Sequence, residues 1–362
     1  MLGLYIHIPF CVSKCNYCDF VSFSNRENLK TPYINALLKE AQIYKNKKPQ
    51  TLYIGGGTPS LLSARQIEIL LGGLAKTFGR IKNFKESTFE CNPESLTEDK
   101  LKILKDYGIS RLSIGAQVLN DKHLKAIGRA HTGRQFFKAY NLAAKYFNNI
   151  NIDLIAGLPM QSLSDFKKSL KEAAKLEPKH FSIYGLQVEE GTKLFDSGFK
   201  ADDNLERKML EFTLEFLSAN NYIHYEISNF AKKDFESLHN INYWQSGAYI
   251  GLGLAAASYL KGVRFQNINN VKKYIANINK GFSAIEFSEK LTGKAKEGEK
   301  IILALRMLRG ANLSARAQKL FEADFKQLAA RSLVYIKKNN ARLSEEGLYT
   351  ANEVFRCFVE PF

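Results

Sequence analysis

The chain has 362 residues, of which 45% are hydrophobic and 25 are phenylalanine, so it can bury a sizeable core in one large domain and a smaller one. Its 52 Lys and Arg residues against 36 Asp and Glu give a formal net charge of +16, which favours anionic partners without indicating nucleic acid. The most apolar stretch, Ser246 to Leu260, is shorter than the roughly 20 residues of a membrane-spanning helix. We therefore expect a globular protein that does not cross a membrane.

Short apolar runs alternate with amphipathic stretches along the first half of the chain. The runs predict six strands, at Leu4 to Phe10, Thr51 to Ile54, Ser87 to Glu90, Arg111 to Ile114, Asn151 to Ile155 and His180 to Tyr184. The stretches between them predict helices at Thr31 to Tyr44, Ser63 to Phe78, Thr97 to Tyr107, Gln135 to Tyr146 and Ser164 to Leu176. Repeated βα units predict an α/β fold, a partial (β/α)6 TIM-like barrel whose ligand site lies at the carboxyl ends of the strands.

Three cysteines, Cys11, Cys15 and Cys18, follow the first predicted strand with C-x3-C-x2-C spacing. Three thiolates this close can bind three irons of a [4Fe-4S] cluster, and no fourth cysteine follows nearby, so one iron keeps an open position. That iron could chelate the amine and carboxylate of S-adenosylmethionine (SAM). A structural zinc site, with His7 or a distant residue as fourth ligand, is the alternative. A disulfide is less favoured, because 5 cysteines are an odd number and no secretory signal precedes them.

Glycines and polar side chains follow the other predicted strands at their carboxyl ends. The segment Gly55 to Pro59 follows the second strand, and its glycines allow the backbone to approach a ligand, although a plain tight turn fits as well. Glu90, Gln117 and Asp153 lie at the ends of the next three strands, and Arg129 lies further along. Together these side chains could bind the amine, ribose hydroxyls and carboxylate of a nucleoside–amino acid, whereas each alone is more often a cap or a surface residue.

These motifs resemble those of the radical SAM superfamily, within the coproporphyrinogen III oxidase-like group. The resemblance rests on Tyr5 to Cys11, the cysteine triad, Gly55 to Pro59 and Asp153 to Pro159, and it extends over nearly the whole chain. It implies a radical SAM fold in which Cys11, Cys15 and Cys18 bind a [4Fe-4S] cluster. The SAM contacts that it implies are Tyr5, Gly56, Gly57, Thr58, Glu90, Gln117, Arg129, Asp153 and Gly185.

Two functions occur in this group, and two local features distinguish them. The oxygen-independent oxidases typically have a further cysteine in a C-x3-C-x2-C-x-C pattern, whereas Asp19 and Phe20 follow Cys18 here. That continuation resembles the heme chaperones of the HemW type, and the segment His239 to Trp244 fits the H-N-x-x-Y-W motif associated with heme handling in them. The resemblance therefore implies a heme chaperone. The alternative is a coproporphyrinogen III dehydrogenase, which forms protoporphyrinogen IX by oxidative decarboxylation.

His239 is the predicted heme ligand, because imidazole is a common axial ligand of heme iron and the neighbouring Tyr and Trp offer flat apolar surfaces. A buried, hydrogen-bonded His–Asn pair is the alternative interpretation. Further along, Ala257 stands where relatives commonly have the histidine of a Gly-Ala-His-Ser segment, and His131 is a candidate substitute for it. No catalytic residue is assigned.

The composition changes toward the carboxyl terminus, where charged helical stretches precede a strand pair around Leu333 to Leu343 with a turn at Asn339 and Asn340. The lysines are scattered and not interleaved with aromatic residues on one element, so nucleic-acid binding is not expected. We predict three parts: a radical SAM core at 1–225, an extension carrying the H-N-x-x-Y-W motif at 226–290, and a winged-helix-like α+β domain at 291–362.

The predicted function is to bind a [4Fe-4S] cluster, SAM and heme and to transfer heme to an acceptor protein. The acceptor is unknown and could be membrane-associated, and a flavodoxin or ferredoxin could serve as electron donor. We expect a cytoplasmic location, which could include the membrane periphery. In that reducing compartment Cys91 and Cys357, which have no partner cysteine at a useful spacing, are expected to be inert thiols.

Overall fold

The computed structural model describes residues 1–359, and its largest element is a sheet of 12 strands. Six strands run parallel in sequence order along the middle of this sheet: β1 (Leu2–Ile8), β2 (Thr51–Gly56), β3 (Glu86–Cys91), β4 (Arg111–Gln117), β5 (Ile150–Ala156) and β6 (His180–Gly185). Each corresponds to a predicted strand, although β1 ends at Ile8 and not at Phe10. The predicted parallel arrangement of βα units is confirmed.

Helices connect these strands and pack their apolar faces against the sheet. Their bounds are α1 (Glu27–Ile43), α2 (Ala64–Phe78), α3 (Glu98–Tyr107), α4 (Asp121–Ala126), α5 (Gly133–Ala144), α6 (Leu163–Ala174), α7 (Lys193–Asp196) and α8 (Asp203–Ala219), with single 3-10 turns at Pro59–Leu61, Ile81–Asn83 and Pro93–Ser95. Ser63, Thr132 and Ser162 begin α2, α5 and α6 with capping boxes, which satisfy two backbone N–H groups at each start. Leu37, Leu70 and Phe166 are among the helix residues buried in the core.

The sheet continues beyond both ends of the parallel set. The hairpin β7 (Ile223–Glu226) and β8 (Asn229–Ala231) pairs antiparallel with β6. At the other end, β9 (Ala248–Leu252) pairs parallel with β1, followed outward by antiparallel β10 (Ala257–Leu260), β11 (Val263–Asn267) and β12 (Ile285–Glu289). Two helices accompany this segment, α9 (Leu238–Trp244) and α10 (Val271–Asn279). The first strand therefore lies inside the sheet, between β2 and β9.

The carboxyl-terminal residues form a second, smaller hydrophobic core. Five helices, α11 (Gly293–Leu305), α12 (Ala315–Leu320), α13 (Glu322–Ala330), α14 (Glu345–Tyr349) and α15 (Ala351–Arg356), accompany a sheet of β13 (Ala311–Asn312), β15 (Asn340–Leu343) and β14 (Val334–Lys337). This order of elements is winged-helix-like, as predicted. The turn of the hairpin falls at Lys338 and Asn339, one residue earlier than expected, and Lys338 takes a φ of 56° there. Among residues 1–359, no helix has the combined length and apolarity that crossing a membrane requires.

Candidate functional site

A cavity of about 450 Å3 opens at the carboxyl ends of the parallel strands. Most of the residues predicted to bind a ligand or metal line it, namely Cys11, Cys15, Cys18, Gly56, Gly57, Thr58, Glu90, Gln117, Arg129, Asp153 and Gly185. Tyr53, Asn92, Ser113 and Tyr184 also line it and were missed. Strand alternation could have identified Tyr53 and Ser113. Residues an even number of positions apart share one face of a strand, and Tyr53 and Ser113 lie four positions before Gly57 and Gln117.

The loop that carries the cysteines is fixed by the start of the next loop. The Gly57 N–H donates to the Ile8 carbonyl at 2.9 Å, and the Thr58 N–H donates to the Phe10 carbonyl at 2.8 Å. A Cβ atom on Gly57 would lie 2.9 Å from each of these two carbonyl oxygens and 3.0 Å from the Cys11 sulfur. Glycine is therefore required at this position, because any side chain would push the cysteine loop away.

The three thiols belong to one loop that lines the cavity, and each is partly exposed. Burial raises the pKa of Cys11, and it raises the pKa of Cys18 to about 11, so binding iron must displace protons from these thiols. No three His, Cys, Asp or Glu side chains in residues 1–359 converge on one metal ion. In a cubane each thiolate binds a different iron, so three thiols on one loop that lines the cavity fit such a cluster.

His7, the candidate fourth ligand of a zinc site, lies beneath the cysteine loop and is buried. Its Nε2 is 2.8 Å from the Val21 carbonyl, and its Nδ1 is 3.0 Å from the Tyr5 hydroxyl. Both ring nitrogens thus have partners within the protein, and the ring does not line the cavity. This arrangement disfavours a zinc site that uses His7, and it also shows that Tyr5 supports His7 from β1 and is not among the residues lining the cavity.

Two half-buried carboxylates line the cavity, one from β3 and one from β5. Glu90 accepts hydrogen bonds from the Tyr53 hydroxyl at 2.7 Å and from the Gly56 N–H at 3.1 Å, and burial raises its pKa to about 7. Asp153 accepts hydrogen bonds from Ser113 at 3.0 Å and Asn151 at 2.8 Å, and burial raises its pKa as well. A cationic ligand would favour ionisation of both groups, so this side of the cavity is suited to an ammonium or sulfonium centre.

Arg129 lies between the ends of the strands and the cysteine loop. Its guanidinium donates to the Asn92 side-chain oxygen at 2.8 Å and to the Gly115 carbonyl at 2.9 Å, and it lies 3.8 Å from the Cys15 sulfur. Burial acts to lower the pKa of Arg129, but the nearby Tyr17 and Cys15 raise it above its usual value. A permanent cation next to three thiolates can offset their negative charge or bind a ligand carboxylate.

His239 does not lie at this cavity. It is fully buried in α9, which packs against the opposite ends of the strands, where Thr51 begins β2 and Glu86 begins β3. Its Nδ1 is 2.9 Å from the Thr51 hydroxyl, its Nε2 is 2.8 Å from the Tyr243 hydroxyl, and burial lowers its pKa to about 3. The assignment of His239 as a heme ligand stays a prediction, and it requires α9 to rearrange.

The remaining candidates are also accounted for by the fold. His131 is buried, with its Nε2 3.3 Å from the Ala116 carbonyl, and it does not line the cavity. Ala257 begins β10 and pairs with Gln266. Cys91 is buried at the base of the cavity, where burial raises the pKa of its thiol.

Comparison with known proteins connects this site to a family. The sequence profile of the Radical SAM superfamily matches residues 5–173. A protein named heme chaperone HemW from Bacillus subtilis is 36% identical over 99% of both chains, and one of the same name from Lactococcus lactis is 34% identical over 98% of this chain and 96% of its own.

The fold also matches a solved structure over nearly the whole chain. Coproporphyrinogen III oxidase (HemN) from Escherichia coli superposes with a TM-score of 0.86, covering 99% of this chain and 89% of that one at 24% identity. That likeness concerns the fold alone. With the relatives above, the chain belongs to the radical SAM superfamily and, within it, to the family of proteins named heme chaperone HemW.

Proposed function

We propose that this protein is a heme chaperone that holds a [4Fe-4S] cluster and SAM in the cavity at the strand ends and transfers heme to an acceptor protein. The observation that carries this proposal is one cavity that combines the three thiols with two half-buried carboxylates and Arg129. The name shared by relatives that match the whole length supports the heme part. We further propose a cytoplasmic protein, a core at 1–225 with the extension and domain described above, and reduction by a flavodoxin or ferredoxin.

The cavity residues divide into groups that hold the cluster and groups that hold SAM. When bound, the cluster offers one iron with an open coordination position and an electron for SAM. Thr58 donates its hydroxyl to the Cys11 sulfur at 3.5 Å, and Gly57 fixes the loop, so these residues position the thiolates. Glu90 and Asp153 provide negative charge for the cationic part of SAM. Gly185 has no side chain, so SAM can approach the backbone at the end of β6 closely.

Heme binding through His239 would require a change at α9. A histidine nitrogen can bind iron only with a free lone pair, and both nitrogens of His239 are hydrogen-bonded to hydroxyl groups. Tyr243→Phe removes the partner of Nε2 and keeps the ring. If His239 is the axial ligand, Tyr243→Phe should bind heme more tightly than wild type, and His239→Ala more weakly.

The test is an anaerobic heme titration of cluster-reconstituted protein, read by optical spectroscopy. Saturable binding at a fixed stoichiometry, with the opposite effects of the two variants, supports the chaperone and its ligand. Saturable binding that neither variant changes moves the ligand elsewhere. Absence of saturable binding overturns the chaperone, and a parallel anaerobic assay for SAM-dependent release of carbon dioxide from coproporphyrinogen III then tests the dehydrogenase.

A further inference from the structure

Arg306 joins the large sheet to the carboxyl-terminal domain. Arg306 follows α11, and its carbonyl accepts a hydrogen bond from the Ile227 N–H at 3.1 Å. The next two residues also pair with this hairpin: Met307 forms an antiparallel β-bridge with Glu226, and the Leu308 N–H donates to the Tyr225 carbonyl at 3.1 Å. The segment after α11 therefore pairs with the hairpin of β7 and β8. This pairing fixes the backbone from which the Arg306 side chain projects.

The guanidinium of Arg306 is held by aromatic rings and not by acids. Its central carbon lies 4.4 Å from the centre of the Trp244 ring and 6.0 Å from the centre of the Phe355 ring. Within residues 1–359 it makes no hydrogen bond through its side chain and no salt bridge within 4.0 Å, and its Nε is buried without a partner. Burial lowers the pKa of Arg306 from its usual value. A partly buried cation in this state has unused capacity for a planar anion.

The nearest acid does not use that capacity. Glu226 is fully buried, and its Oε1 accepts hydrogen bonds from the Ser228 N–H at 3.1 Å and from the Asn229 side chain. Its Oε2 has no partner, and burial raises the pKa of the carboxyl while Arg306 opposes that rise. The indole nitrogen of Trp244 is also buried without a partner. Arg306 and two of its neighbours, Glu226 and Trp244, thus each have a buried polar atom without a partner.

This cluster adjoins the cavity through the strand ladder. The Ile183 N–H donates to the Ser228 carbonyl at 2.8 Å, which aligns the end of β6 with the turn that also holds Arg306. The next residue, Tyr184, lines the cavity and is 41% exposed. Arg306 therefore lies beside the turn that pairs with the end of β6, next to the part of the cavity wall that Tyr184 forms.

We propose that Arg306 binds a carboxylate of the tetrapyrrole ligand, that is, a propionate of heme, with the macrocycle reaching toward Tyr184 at the cavity mouth. This inference rests on the proposed function. Arg306 can offer two parallel N–H donors to a carboxylate, and its contact with the Trp244 ring restricts the position of that fork. The proposal also gives Trp244 of the H-N-x-x-Y-W motif a role, which is to position Arg306. That role does not depend on heme ligation by His239.

The experiment compares anaerobic titrations of heme and of heme dimethyl ester, whose propionates carry no charge, with cluster-reconstituted protein. Wild type should bind heme more tightly than the ester. Arg306→Gln should weaken the affinity for heme by about 10- to 100-fold and leave the affinity for the ester unchanged. Arg309→Gln is the matched control, since Arg309 is exposed nearby on the same segment. The double variant Arg306→Gln/Glu226→Gln removes both charges, so it keeps the test valid if Arg306→Gln alone does not fold.

The outcomes separate this inference from the proposed function. Loss of the preference for heme over its ester, with SAM binding unchanged, supports the carboxylate site. Three results for Arg306→Gln would overturn it: an equal loss of affinity for heme and for the ester, an unchanged affinity for heme, or a loss of affinity for SAM and not for heme. If wild type binds no heme saturably, the chaperone proposal fails, and the inference fails with it.

Discussion

Replacing Glu86 by alanine should release α9 from the strands against which it packs. The Glu86 carboxylate is buried, and it accepts hydrogen bonds from the backbone N–H groups of Leu238 at 2.9 Å and His239 at 3.0 Å, and from the Ser237 hydroxyl at 3.5 Å. Hydrogen bonds to a charged group contribute about 1.5–3 kcal/mol each. Since two are short, we expect Glu86→Ala to lower the free energy of unfolding by about 3 kcal/mol.

The assay is denaturant unfolding followed by the fluorescence of Trp244, which ends α9 and is the only tryptophan of the 362-residue chain. Glu86→Ala should shift the emission of the native protein to longer wavelength and lower the unfolding midpoint. Ser237→Ala is the control, because it removes the cap of α9 and should cost only about 1 kcal/mol. A Glu86→Ala midpoint equal to that of wild type, or a larger effect of Ser237→Ala, would refute the reasoning.

Three further predictions concern the site and its support. Gly57→Ala should destabilise the apo protein by about 1–3 kcal/mol, because its Cβ meets two carbonyl oxygens at 2.9 Å, whereas Gly72→Ala in α2 should not; equal unfolding midpoints would contradict this. Burial raises the pKa of Glu40 to about 7 in the folded protein against 4.5 when exposed, so stability should fall as pH rises from 4.5 through 7, by up to about 3 kcal/mol. Glu40→Gln should flatten that fall in denaturant unfolding at several pH values, and an unchanged slope would remove Glu40 as its cause. Cys15→Ala should abolish cluster reconstitution, measured as iron per chain and visible absorption, while Cys91→Ala should retain it; a full cluster in Cys15→Ala would exclude its assignment as a ligand.

The parallel sheet and most of the cavity residues could be predicted from the sequence. Apolar runs bounded by turn residues mark strands, and alternation with helices requires the strands to be parallel. The carboxyl ends of parallel strands lie at the same edge of the sheet. Glu90 and Asp153 are therefore expected near the cysteine loop, whatever the exact bounds of the strands. The two carboxylates lie far apart in the sequence, but they share that edge.

Other features depend on pairings that periodicity cannot reveal. The segment of β9 reads as an apolar run, and nothing local indicates that it pairs parallel with β1. The sequence presents the motif His239 to Trp244 as one heme-handling unit, whereas α9 places His239 inside the molecule and Trp244 against Arg306. A short helix presents different faces to different neighbours, so residues close in sequence can serve separate purposes.

The position of β1 between β2 and β9 also bears on how the protein is made. A ribosome releases the cysteine loop well before β9, so β1 has only one paired side until residues 248–252 have emerged. Until then a nascent chain carries an open strand edge beside three free thiols, a state prone to association with other chains. The cysteine loop thus reaches its final surroundings only after a segment made much later, and we expect cluster insertion to follow the synthesis of β9.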